Sequence, residues 1–318
     1  MELYNQTTNC EIIYALILSC DKSGSFIEFY LSYTKDSGAT WSSKLIERPS
    51  ALRPKEKTDN QTNLQDEDQK KDYFSSGMGW IDFYDLNHGW IVLEIPTNLR
   101  LGMNSGILLQ TTDSGNTWKQ IGNYLPIAGP FRFISTKDGW MTGRLDNTLH
   151  STQDGGYTWQ QKTLEPPPTA SENGWYDLPI FKDSQNGFLS MTSVSSILIL
   201  FNTHNSGKTW NVDRMLSDIK RIANVYPSVL IDSTLITISA SDIEATLTLI
   251  KVLPDGKIIT TKTNALNIKG NLTPRSLRFS GEWHLSFITI NQGWVSTNTG
   301  QLLATDDGGK TWTVITPQ

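Results

Sequence analysis

Five carboxylate or carboxamide side chains recur in one frame, and two kinds of chemistry could use them. Asp36, Asp113, Asp154, Asn205 and Asp307 each stand third in Thr-x-Asp/Asn-x-Gly-x-Thr-Trp, with frames at Thr34–Trp41, Thr111–Trp118, Thr152–Trp159, Thr203–Trp210 and Thr305–Trp312. A carboxylate in such a turn could ligate calcium or move a proton, or it could accept the backbone N–H groups of its own turn. Asn205 bears on the choice. A neutral amide makes the same turn but is a much poorer metal ligand, and Thr203, Gly207, Thr209 and Trp210 are all kept around it. The expectation is therefore a structural turn in every frame, with no metal. The fifth-position glycine takes positive φ, and Trp41, Trp118, Trp159, Trp210 and Trp312 each bury a ring against a neighbouring sheet.

A second set of residues lies outside that frame. Trp80, Trp175 and Trp283 occur in Gly79-Trp80-Ile81-Asp82, Gly174-Trp175-Tyr176-Asp177 and Gly281-Glu282-Trp283-His284. Their rings could stack on a sugar or an extended peptide, with Asp82, Arg132, Tyr176, Asp177, Glu282 and His284 as further contacts. The alternative is that the rings pack between layers of the fold.

The elements that position these residues repeat as well. Phe-x-x-x-x-x-Gly-(Trp/Phe) precedes four of the frames, at Phe83–Trp90, Phe133–Trp140, Phe181–Phe188 and Phe287–Trp294, and Tyr4 to Cys10 keeps the spacing in degenerate form. The segments between are short alternating runs bounded by Asn, Asp, Gly and Ser, which is the language of strands and turns. Residues 131–135, 139–143, 147–152 and 158–163 read as one four-stranded unit. A unit of that size repeated at intervals of 40 to 50 residues predicts an all-β propeller.

The closing tryptophans place the blades at about 1–47, 77–122, 128–164, 176–214, 225–263 and 283–318 of a single domain. The fifth blade lacks the frame and turns at Pro254-Asp255-Gly256 instead. Six four-stranded blades result, or seven if an N-terminal blade has been cut away. The last strand, 311–316, is expected to close the ring on the blade that starts near Tyr4. Between the first two blades, residues 48–72 form a charged, flexible insertion. Long links at 47–79, 95–105, 164–174 and 264–282 fall on the face opposite the short repeated turns, and that face is the expected working surface.

Composition narrows the classes. The net charge is −5 and the pI about 5.4, against a nucleic-acid partner. The longest apolar run, Ile12–Leu18, is too short to span a bilayer. Cys10 and Cys20 flank one expected strand, which would hold them roughly 30 Å apart and unpaired. The four histidines show no ligand spacing, and no cofactor is expected.

The repeated frame resembles the Asp-box, or BNR, repeat of sialidases, sortilin-type receptors and other propellers. With the Phe-x-x-x-x-x-Gly-Trp element, nearly the whole chain is similar to the photosystem II assembly factor family. That resemblance implies a propeller, and because the repeat accounts for most of the notable residues the favoured reading is a non-catalytic binding or assembly scaffold for a protein or glycan, a monomer by default. It also implies an extracytoplasmic setting, although no secretory signal follows Met1, so either a natural N-terminus was removed or the protein is cytosolic. The alternative is a sialidase-like glycoside hydrolase, which needs an arginine cluster. The family's Arg-Ile-Pro element is missing here, and Arg100, Arg132, Arg144, Arg275 and Arg278 are the positions to compare.

Overall fold

The computed structural model describes residues 2–4, 13–20, 26–35, 40–46, 79–95, 105–143, 148–165, 174–193, 197–216, 228–241, 245–270, 284–297 and 301–315. Among them the only helical turn is a 3₁₀ turn, Ala265–Asn267, and everything else regular is strand. Six sheets follow in chain order. The first holds β1 (Glu2–Tyr4), β2 (Ile13–Cys20), β3 (Phe26–Thr34) and β4 (Ser42–Ile46). The second holds β5 (Gly79–Phe83), β6 (Gly89–Ile95), β7 (Ser105–Thr111) and β8 (Lys119–Leu125). The third holds β9 (Phe131–Phe133), β10 (Gly139–Thr142), β11 (Leu149–Thr152) and β12 (Gln160–Lys162).

In the fourth sheet the first strand is broken into β13 (Gly174–Tyr176) and β14 (Ile180–Phe181), both pairing with β15 (Gly187–Ser193), followed by β16 (Leu198–Thr203) and β17 (Asn211–Leu216). The fifth holds β18 (Val229–Ile231), β19 (Thr234–Ser241), β20 (Thr246–Val252) and β21 (Ile258–Asn264). The sixth holds β22 (His284–Phe287), β23 (Gly293–Ser296), β24 (Leu302–Thr305) and β25 (Thr313–Ile315). The chain forms two compact units of three sheets each, Met1–Lys162 and Thr163–Gln318.

Every sheet is an antiparallel meander of its own consecutive strands. β25 pairs with β24, so the expected closure by exchange of the last strand into the first sheet is not what forms. The outer side of β25 is instead lined by Lys269, which bridges Thr313 and accepts the Val314 N–H.

Both sequence repeats have a packing cause. Phe83, Phe133, Phe181 and Phe287 stand opposite Gly89, Gly139, Gly187 and Gly293 in register. A Cβ at any of these glycines would lie 2.4 to 2.9 Å from the facing ring, so the glycine exists to let the ring lie flat on the strand. Two residues after each Phe, a side-chain oxygen caps the hairpin by accepting two backbone N–H groups. Asp85 serves Asn87 and His88, Ser135 serves Lys137 and Asp138, Asp183 serves Gln185 and Asn186, and Thr289 serves Asn291 and Gln292. The hairpin in turn accepts the fourth-position N–H of the Asp turn, from Ser114 to Asn87, Gly155 to Lys137, Ser206 to Gln185 and Gly308 to Asn291.

Within each unit, consecutive sheets share an apolar core. Leu16, Leu31, Ile81, Leu93 and Leu109 join the first and second sheets; Trp90, Leu108, Phe131 and Phe133 join the second and third. In the second unit Leu198, Leu200, Leu235 and Ile250 join the fourth and fifth, and Ile238, Leu249, Phe287 and Leu303 join the fifth and sixth. A side-chain donor from the earlier sheet also grips a carbonyl in the next sheet's outer turn at all four junctions. Lys44 donates to Asn116 O, Trp90 Nε1 to Gly155 O (3.2 Å), Arg214 to Gly256 O and Thr263 Oγ1 to Gly309 O (3.0 Å).

The tryptophans of the Asp turns need a correction. Trp118, Trp159 and Trp210 are half-buried rather than buried; each stands edge-on to the Phe of its own sheet, with centroids 6.0 Å apart, and Trp118 and Trp159 also pack on the cores shared with the preceding sheet. Trp41 is exposed, because these residues open the outermost strand and lie on a rim. Only Trp312 is fully buried, since Ala265 and Ile268 of the preceding link cover it. The ring that crosses between sheets is Trp90, which stacks on Phe133 at 3.7 Å and 7°.

Candidate binding site on the inner strands

The first strand of each sheet carries the residues that could meet a ligand, and two of them repeat a motif, Gly-Trp-x-Asp. In the second sheet, Trp80 lies opposite Val92, three positions beyond Gly89. There it is 4% exposed and packs with Trp90, Val92 and Leu108. Asp82 is fully buried, and its Oδ2 accepts the Phe133 N–H of the third sheet at 2.7 Å. Both residues therefore pack and bond across sheets, with little of Trp80 and none of Asp82 in contact with solvent.

The second copy sits differently. Trp175 lies opposite Thr192, five positions beyond Gly187, because the strand breaks at Asp177–Pro179 before β14 resumes the pairing. At that level the ring is 47% exposed. Asp177 keeps the cross-sheet role of Asp82, its Oδ2 accepting the Ser228 N–H of the fifth sheet at 2.8 Å while Oδ1 accepts the Leu178 N–H. Unlike Asp82 it is only half-buried. Tyr176 points to the other face of the strand, opposite Met191, and burial pushes its hydroxyl above the usual pKa.

Arg132, half-buried on β9, lies opposite Trp140, and His284 lies on β22 opposite Ser296. Glu282, Trp283 and Cys10 lie outside the described residues, as do Arg100, Arg144, Arg275 and Arg278, the insertion at 48–72 and most of the long links.

The Asp turns have closed geometry. Thr111 Oγ1 donates to Asp113 Oδ1 (2.8 Å) and accepts the Gly115 N–H (2.9 Å); Asp113 Oδ1 also accepts the Thr117 N–H (2.8 Å), and Oδ2 accepts the Thr117 hydroxyl (2.6 Å). The same bonds hold Asp154 and Asp307. The Thr117 bonds, side chain then backbone, keep the Asp113 carboxyl low, at about 2. For Asp307, burial pushes upward but the Thr311 and Thr305 bonds outweigh it, again giving about 2. Asn205 reproduces the turn with one bond reversed, its Nδ2 donating to Thr209 Oγ1 at 2.8 Å. Asp36 lies outside the described residues. Positive φ occurs at the fourth position as well as the fifth, at Ser114, Gly155, Ser206 and Gly308. The fifth glycine also faces strand three of the preceding sheet: a Cβ on Gly115, Gly156 or Gly309 would meet Leu31, Leu108 or Leu249 at 2.4 to 2.6 Å. Among the described residues no three His, Cys, Asp or Glu side chains gather as a metal cage.

No protein-family model matches the chain, and no curated protein matches it in sequence. Solved structures do match. A structure of YCF48 bound to D1 peptide is 18% identical, with 98% of this chain and 88% of that one covered and a TM-score of 0.51. The SapL1 lectin in complex with alpha methyl fucoside is 9% identical, with 96% and 92% covered and a TM-score of 0.53. The GH74 xyloglucanase of Xanthomonas campestris is 10% identical with a TM-score of 0.54; 96% of this chain matches 45% of that enzyme, so the chain spans less than half its length. The likeness is one of fold: six consecutive four-stranded antiparallel sheets, consistent with a β-propeller.

The turns around Asp113, Asp154 and Asp307 fasten their own hairpins and accept a bond from the sheet before them. Sequence reading missed the hairpin caps at Asp85, Ser135, Asp183 and Thr289, although an oxygen at the second residue after each Phe was visible. It also missed Arg214, which serves the boxless fifth sheet, and nothing in its sequence context signals that role. No helix among the described residues is long and apolar enough to cross a membrane.

Proposed function

We propose that this chain is a non-catalytic scaffold, a propeller of six four-stranded blades in one domain, that binds a protein or glycan on its long-link face, in an extracytoplasmic setting. The observation that carries the reading is Trp175: an inner-strand tryptophan, 47% exposed, at the end of its sheet from which the long links leave. A large ring left in water at the inner edge of a rigid sheet suits stacking on a partner. The non-catalytic part is supported by how the acids are used. Asp113, Asp154 and Asp307 are saturated by their own turns, and Asp82 and Asp177 accept backbone N–H groups of the next sheet. The structural neighbours fit a scaffold that has taken many ligands, one bound to a peptide and one to a fucoside.

The test is a glycan array and a peptide panel on the wild-type chain, followed by Trp175→Ala. Binding should weaken by about 1–3 kcal/mol while the melting temperature moves little. Unchanged binding by Trp175→Ala, or turnover of a bound glycan by the wild type, would contradict the proposal.

A further inference from the structure

The last strand of each sheet has an outer edge, and an open edge invites another strand, so proteins shorten, bulge or cover it. Five of the six sheets do so. β12 has three residues and β4 five; the pairings of β8 and β17 shift register, with Gly122 of β8 at positive φ; and Lys269 lies along β25. β21 differs. It runs seven residues in unbroken register with β20, and among the described residues no strand pairs with its other side. The Leu253 N–H donates to Lys257 O and the Ala265 N–H to Ala245 O, which sets the phase of the ladder. Ile259, Thr261 and Thr263 therefore exchange backbone bonds with β20, while Ile258, Thr260 and Asn264 turn their N–H and C=O groups outward. The side chains of Ile259 and Thr260 are exposed, and so is Leu266 just past the strand.

We propose that this edge docks an acidic peptide, which adds to the fifth sheet as a further strand and takes its backbone bonds from Ile258 and Thr260. Charge decides the kind of partner. In a chain of net charge −5, the surroundings of β21 are basic: Lys257 stands in its leading turn, Lys262 within it, Lys251 opposite Ile259, and Lys310 O 3.5 Å from Thr263 Oγ1. Burial, and then the Lys310 charge, hold Lys251 below its usual pKa, with Asp307 offsetting part of the effect. Of the carboxylates beside these lysines, Asp255 accepts the Lys257 N–H and Asp307 is held by its own turn. A second copy of the same edge would bring like charge to like charge, whereas carboxylates on an extended peptide would meet their complement. The edge is the outermost strand of its sheet and does not involve Trp175, so this site is separate from the binding face proposed above.

The experiment titrates the full chain into a labelled, acetylated peptide of alternating Glu and Val and reads anisotropy, with a Lys-Val peptide and a proline-interrupted Glu-Val peptide as comparisons. The Glu-Val peptide should bind, and the other two should bind about tenfold more weakly or worse. Thr260→Pro removes an outward N–H and leaves the β20 ladder whole, so it should melt close to wild type and lose about tenfold or more in affinity. Lys257→Glu combined with Lys310→Glu should lose about tenfold at low salt, and the gap should shrink as salt is added. Trp175→Ala should bind the peptide as wild type does. Amide exchange covers the case in which Thr260→Pro does not fold: in wild type the Thr260 amide should slow when peptide is added, while that of Thr261, already bonded to β20, stays the same. No binding of the Glu-Val peptide, equal binding of the Lys-Val peptide, or a Thr260 amide that does not slow overturns the proposal. Loss of binding in Trp175→Ala with none in Thr260→Pro moves the peptide to the Trp175 face and overturns the edge alone. Self-association in sedimentation that Thr260→Pro abolishes assigns the edge to a second copy and overturns the acidic partner.

Discussion

The two Gly-Trp-x-Asp segments are written alike and end in different places. In Gly79–Asp82 the Trp is core and in Gly174–Asp177 it is surface, although both aspartates accept a backbone N–H from the following sheet, Phe133 in one case and Ser228 in the other. Register makes the difference. Trp80 lies three residues before Phe83, on an unbroken strand; Trp175 lies six before Phe181, with one extra residue accommodated at Asp177–Pro179, and so stands two positions further along strand two. Two positions preserve the face but move the ring past the level that the next sheet covers. A motif can therefore keep its cross-sheet hydrogen bond while its aromatic residue is released for binding.

The largest effect that would break this comparison concerns the rings themselves. Trp80→Ala should cost about 3–5 kcal/mol in denaturant unfolding, as expected for a buried aromatic, and Trp175→Ala well under half of that. Equal losses would show that the two rings have the same environment. Next come the aspartates. Asp82→Asn weakens an acceptor that is wholly buried and should cost about 1.5–3 kcal/mol, whereas Asp177→Asn, half-solvated, should cost about 1 kcal/mol or less.

The smallest effect belongs to the boxes, and it depends on pH. Asp113 and Asp307 are held at about 2 when folded, below the ordinary carboxylate value near 4. A depressed folded pKa contributes stability that is complete above the unfolded value and is lost as the pH falls through the folded one. Asp113→Asn and Asp307→Asn should therefore be slightly less stable than wild type at pH 7, and the gap should close between about pH 4 and pH 2. Melting curves across that range check it; a gap that widens in acid would contradict the turn chemistry.

The repeat made much of the fold legible, because an Asp box and a Phe-to-Gly spacing each demand one local geometry wherever they occur. Asn205 told in advance that the turn does not need a charge, and the structure shows how, by turning one acceptor into a donor toward Thr209. What stayed hidden depends on contacts between sheets. The flat stack of Trp90 on Phe133, the Arg214 grip on Gly256 and the cover that Ala265 and Ile268 lay over Trp312 come from residues far apart in sequence. The candidate site was hidden for the same reason. Trp80 and Trp175 share the same preceding Gly and the same Asp two residues on, and only the pairing with Val92 or Thr192 says which one meets water.

The most direct test follows the indole N–H signals of the eleven tryptophans in a ¹H–¹⁵N spectrum while the glycan or peptide that binds best in the array and panel is added. With Trp80 and Trp175 assigned from Trp80→Phe and Trp175→Phe, the Trp175 signal should shift with saturation while that of Trp80 holds its position. A Trp80 signal that moves while Trp175 stays fixed would contradict the account.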